Sequence, residues 1–142
     1  MLHLRDQGVT DFVAMSAHAN AGAMWDERYE GLQQHTIRHV SHLHERHRLP
    51  GSGRGYATKE AFASYLRTVV DVENLAENIM FNTCLERGQV TYCQGDEYPW
   101  LITLANEDII AAKFLYDCTG LLKTPRPIPE KWQSSPDRPV LA

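Results

Sequence analysis

The sequence predicts a mainly α fold: an antiparallel hairpin of two long helices, a third central helix, a small β-hairpin and an extended Pro-rich C-terminal arm. Three observations carry this. Apolar residues recur at helical spacing from Trp25 to Leu43 and again from Phe62 to Cys84. A strand-like, turn-like, strand-like run follows at residues 90–103. Five of the seven prolines then fall within residues 121–142. The expected organisation is one helical domain over residues 1–120, followed by the arm at 121–142.

Taken in order, residues 1–9 read as irregular. Thr10 is a good N-cap with Asp11 in the first turn, so a helical region is expected from there to about Leu49. Ala14, Ser16, Ala17, Ala19, Ala21, Gly22 and Ala23 form a small-residue surface that admits close approach of another helix, and Gly22 can mark a break. At about 100° per residue, Trp25, Tyr29, Leu32, Ile37, Val40 and Leu43 share a stripe about 140° wide. Pro50 and Gly51 stop the pattern. After the loop Pro50–Gly55, Thr58 is placed to cap a second helix.

That second helix carries Phe62, Tyr65, Leu66, Val69, Val72, Ala76, Ile79, Met80 and Cys84 on one stripe and is expected to run to Arg87, with Gly88 just past its end. The β-branched run around Val69–Val72 is its weak point. Val90–Cys93 and Trp100–Thr103 read as a hairpin, although Pro99 restricts the second strand to an edge or a strand start. Asn106 is read as the N-cap of a short central helix over Glu107–Cys118, ended by Gly120. The arm is expected to be extended, with Ile128 and Trp132 as anchors for wrapping its own domain or a neighbour.

The formal net charge of −4 is unevenly spread. Residues 35–59 hold Arg38, Arg46, Arg48, Arg54 and Lys59 against Glu45 alone, together with five of the seven histidines. Residues 71–117 hold nine acids against Arg87 and Lys113. Such halves face each other or solvent, associate head to tail, or steer an anionic partner to the basic end. Three cysteines without regular spacing argue against a disulfide framework and for a reducing cytoplasm. No apolar run approaches the ~20 residues of a membrane span, and the opening MLHLRD lacks the basic region of a signal peptide.

His35, His39, His42, His44 and His47 are the strongest local feature. On a helix, His35, His39 and His42 would share a sector about 60° wide, and His39 with either neighbour would make a chelating pair for a transition metal. Against this, His35 and His42 would lie about 10 Å apart along the axis, and Arg46 would share the sector. The same histidines also suit a pH-dependent interface. The Gly loop with Arg38, Arg46, Arg48, Arg54 and Lys59 is a candidate anion or nucleic-acid contact, although no P-loop or dinucleotide fingerprint is present.

No nucleophile–base pair stands out. Ser16 and His18 point apart on a helix, Cys93 lies beside acids that raise a thiol pKa, and Glu73 and Glu77 are one turn apart, facing solvent as easily as a cleft. The sequence therefore points away from an enzyme. It suggests a protein–protein interaction module, an assembly subunit or small accessory protein. Phosphate-rich ligands through residues 38–59, and a metal-dependent enzyme on the histidine segment, are the alternatives.

Overall fold

The computed structural model describes residues 1–51, 54–85 and 89–120. The expected Pro-rich arm with Ile128 and Trp132, and the expected helix end at Arg87 and Gly88, lie outside the described residues. In chain order the elements are α1 (Leu2–Asp6), β1 (Ala14–Met15), α2 (Ala23–Asp26), β2 (Gln33–Ile37), a 3-10 turn (Arg38–Val40), β3 (Tyr56–Thr58) and α3 (Lys59–Val72). A second 3-10 turn (Leu75–Asn78), β4 (Ile79–Met80), β5 (Gln89–Tyr92), β6 (Trp100–Thr103) and β7 (Ile109–Ala112) follow. The strands form three small sheets: a parallel pair β1–β4, an antiparallel pair β2–β3 and a meander β5–β6–β7.

This overturns the mainly α reading. The long-helix hairpin does not form, because α3 is the sole long helix among the described residues and the region expected to pair with it is mostly loop and strand. Gly22 and Gly31 adopt φ of +82° and +77°, a left-handed conformation that interrupts any helix through residues 10–49. The proposed stripe is not one face either: Tyr29, Val40 and Leu43 are exposed. The expected central helix at 107–118 is strand β7 instead. Asn106, read as a helix cap, uses the same side-chain chemistry to close a turn. Its Oδ1 accepts from the Asp108 N–H at 3.2 Å, and Glu107 takes φ +68°. The β-branched Ile109 and Ile110 then pair with β6.

Helix α3 follows its sequence signals at its start but not in its length: the expected run to Arg87 fails, because Leu75–Asn78 is a 3-10 turn and Ile79–Met80 is a strand. Thr58 caps the helix, its hydroxyl accepting from the Ala61 N–H at 3.3 Å. Phe62, Tyr65 and Val69 bury one face, with Ala63 beside them. The helix stops at Val72, within the β-branched run that weakened it, and Val72 itself is exposed. Beyond it the chain turns through Asn74 at φ +49° into the second 3-10 turn.

The core is the face of α3. Leu2, Leu49, Ala57, Phe62, Tyr65, Val69 and Leu75 pack together, with Trp25, Leu66, Val70 and Ile79 against them. The Trp25 ring meets Phe62 edge-on, centroids 4.8 Å apart. The β5–β6 hairpin forms as expected, with Pro99 just before the first β6 residue. A third strand, β7, joins it. No helix among the described residues is long and apolar enough to cross a membrane.

Gly22 sets the approach of α2 to α3, because a Cβ there would stand 2.7 Å from the Ala63 carbonyl oxygen and 2.9 Å from its Cα. Gly31 has a similar φ and nothing within 4 Å. Gly31→Ala is therefore expected to cost about 1–2 kcal/mol from backbone strain alone. Gly22→Ala adds roughly 1–3 kcal/mol of overpacking. Urea unfolding of the two variants, compared side by side, measures that difference.

Candidate functional site

Among the described residues, a polar cluster joins three separate segments: α1, the loop after the first 3-10 turn, and the C-terminal end of α3. Tyr65 on α3 organises it. Its ring is buried in the core, and its hydroxyl accepts from the Leu43 N–H at 2.8 Å and donates to the His47 carbonyl at 2.6 Å. A further backbone bond, His47 N–H to His44 carbonyl at 2.9 Å, tightens the loop. Arg5 fixes α1 by donating to the Glu73 carbonyl, to the Asn74 carbonyl at 3.3 Å and to Asn78 Oδ1 at 2.8 Å.

Two acids receive the loop's cations and histidines. Asp6 Oδ2 lies 2.6 Å from His44 Nε2, and Asp6 Oδ1 accepts from Arg46 at 3.0 Å. Glu73 Oε1 is hydrogen-bonded to His47 Nε2, and Arg46 stands 3.7 Å away. The Arg46 backbone N–H donates to His44 Nδ1 at 3.2 Å. A neutral imidazole has one N–H, so His44 carries it on Nε2 and gives it to Asp6. His3 leans over His44, with ring centroids 5.0 Å apart.

The pairing shifts both acids. The His44 hydrogen bond, helped by Arg46, holds Asp6 below the ordinary carboxylate range. The His47 hydrogen bond, again helped by Arg46, does the same for Glu73.

The structure distributes the other expected site residues widely. His35 lies on β2, His39 in the first 3-10 turn and His42 in the loop after it, so the helical sector that would have united them does not exist. His42 Nδ1 is buried with no hydrogen-bond partner in the structure. Arg38 donates to the Pro50 carbonyl at 2.6 Å. Lys59 is buried, donating to the Asp26 and Arg28 carbonyls at 3.2 and 2.6 Å. Arg46 serves Asp6 and Glu73, while Arg48 and Arg54 are exposed. Of the basic segment, Lys59, Arg38 and Arg46 therefore bind groups of the chain itself, and Arg48 and Arg54 face solvent.

His3, Asp6 and Glu73 were missed as members of the site. The available signal was His3-x-x-Asp6, a spacing that puts both side chains on one side of a helical turn. Its partners lie 38 or more residues away and only the fold reveals them.

A second feature is an open cleft of about 460 Å³ at the carboxyl ends of β1 and β4. Ala17, Met80, Asn82, Thr83, Leu104 and Asn106 line it, with Cys84. The strand ends are tied there by Ser16 N–H to Met80 carbonyl (3.0 Å), Thr83 N–H to Ser16 carbonyl (2.8 Å) and Asn82 N–H to His18 carbonyl (3.0 Å). The lining offers amides and a hydroxyl between apolar groups, and no charged side chain.

No protein-family model matches the chain, and no curated protein matches it.

Because the folded pKa values of Asp6 and Glu73 are depressed, their stabilising contribution is present above the unfolded carboxylate range. It is lost as pH falls through the folded values. The double variant Asp6→Asn/Glu73→Gln should therefore be less stable than the parent at pH 6. The gap should narrow below about pH 4. Urea midpoints measured across that range check this, and a gap that does not narrow contradicts it.

Proposed function

We propose that the chain is a protein–protein interaction module whose docking surface is the β5–β6–β7 meander. The observation that carries this is the composition and exposure of one sheet face. The register places Val90, Tyr92, Trp100, Ile102, Ile110 and Ala112 on it, all apolar. Only Ile102 is buried; Tyr92 is 58% and Val90 39% exposed. The opposite face is mixed: Leu101, Ile109 and Ala111 stand among Gln89, Thr91 and Thr103, and Ile109 is 65% exposed. An antiparallel sheet normally turns its apolar face to a core and its mixed face to solvent, so an apolar face with Val90 and Tyr92 open suits a covering partner.

The edge supports the same reading. All four residues of β5 are exposed, and among the described residues β5 pairs with β6 alone. An open edge beside an apolar face accepts an added strand. The two turns of the meander carry Asp96, Glu97, Glu107 and Asp108, of which Glu97 pairs with Lys113 at 3.3 Å. The fitting partner is a protein that adds a strand to β5 and presents an apolar patch rimmed by Lys or Arg. Three free thiols, Cys84, Cys93 and Cys118, support a cytoplasmic setting.

A photocrosslinking side chain at Tyr92 tests the reading in cells of the source. Capture of one defined partner, lost on Val90→Asp and absent with the same probe at Tyr29, supports it. No capture, or capture unaffected by Val90→Asp, contradicts it.

A second reading rests on the cleft alone. Crevices at the carboxyl ends of parallel strands are frequent ligand sites, and about 460 Å³ falls in the range of small-molecule pockets. Its uncharged lining suits a neutral molecule with an apolar body and a hydrogen-bonding edge. In a Cys93→Ser/Cys118→Ser background, such a ligand should slow thiol labelling of Cys84. A panel of neutral heterocycles that leaves the labelling rate unchanged contradicts the reading.

A further inference from the structure

We infer that His3, Asp6 and His44 form a binding site for a borderline divalent metal ion of the Zn²⁺ class. This goes beyond the docking surface, which lies on the β5–β6–β7 meander and shares none of these residues.

One ligand atom from each of the three side chains lies within 4.8 Å of the other two. A tetrahedral ion with ligands at ~2.0–2.2 Å needs its donors a little over 3 Å apart, so small side-chain rotations bring the set to size. His3 and Asp6 sit at i and i+3 on α1, and the rest of the fold delivers His44 to them. The short helix is anchored through Arg5, and the loop carrying His44 is anchored by the Tyr65 hydroxyl. Both arms of the site are therefore held by groups outside it. Two imidazoles and one carboxylate suit Zn²⁺, Co²⁺ or Ni²⁺ over Mg²⁺ or Ca²⁺, which prefer all-oxygen sets. His3 and Asp6 border solvent, which leaves the fourth position to water.

The surroundings set the strength and the chemistry of binding. Arg46 keeps Asp6 Oδ1, so Asp6 ligates through Oδ2 alone. The His44 proton now on Nε2 moves to Nδ1 as the metal takes Nε2. The Arg46 N–H then loses its acceptor, and no proton leaves a neutral ring. A guanidinium beside the ion and a lost hydrogen bond both oppose binding. The site is therefore a modest one, and Arg46 is the residue that weakens it.

Titration of the tag-free chain with CoCl₂ and ZnCl₂, followed by visible absorption and calorimetry, tests the inference. One equivalent should bind, with the Co²⁺ bands of a nitrogen- and oxygen-ligated ion. His3→Ala is expected to weaken binding at least about tenfold. That variant removes an exposed ring and leaves the His44–Asp6 pair in place, so its folding is not in question. His44→Gln should weaken binding likewise, Arg46→Met should tighten it, and His35→Ala, His39→Ala and His42→Ala should each leave it unchanged. No binding at 100-fold molar excess of metal overturns the inference. So do retention in His3→Ala, or intense sulfur-to-cobalt bands showing that the cysteines are the ligands.

Discussion

Tyr65 is the residue on which the arrangement depends most. Its ring belongs to the apolar face of α3, between Phe62 and Val69 in the core cluster. Its hydroxyl holds the loop that carries His44, Arg46 and His47. A single side chain thus converts hydrophobic burial into the placement of a polar cluster. A phenol can do this because its body is apolar and its tip can both donate and accept. Phenylalanine would fill the same space and leave the Leu43 N–H and the His47 carbonyl without that partner.

From that anchor the polar network extends outward in both directions. His47 and Arg46 reach Glu73 where α3 ends, and His44 and Arg46 reach Asp6 on α1. Arg5 completes the circuit by returning from α1 to the chain just past α3. Each exposed ion pair is worth little alone. Here the pairs share partners and tie three segments that few apolar contacts connect: Leu2 and Leu49 are the main core contributions of α1 and the loop. The meander has Ile102 and Leu104 as its buried residues, shares the cleft lining with Met80 and Asn82, and leaves much of its apolar surface open. The chain therefore has one region whose side chains mostly satisfy each other and one whose side chains do not.

What the sequence disclosed follows from how local each signal is. The Thr58 cap, the Phe62–Val69 stripe and the weak point before Glu73 are contained within a few turns, and all appear in α3. The hairpin at residues 89–103 was readable from two short apolar runs and a turn. The stretch from Thr10 to Leu49 misled because alanine, histidine and widely spaced apolar residues fit a helical wheel by count alone. Two glycines with left-handed backbone then decide against the helix. Around Ile109, β-branched residues following an Asn-Glu-Asp turn outweighed an apolar pattern that suited a buried helix equally well. The site was least legible. Five histidines marked the right segment, but the acids that meet two of them come from the chain's start and from the end of α3.

The Tyr65-held loop presents His44 to Asp6 in one defined tautomer. Long-range ¹H–¹⁵N NMR of the ¹⁵N-labelled chain at pH 8 reads this directly, since the two ring nitrogens differ in shift and coupling pattern. His44 should show a protonated Nε2 and a bare Nδ1, changing to the averaged pattern of an untethered ring in Tyr65→Phe. A proton on Nδ1 in the parent chain, or the same averaged pattern in parent and variant, would contradict it.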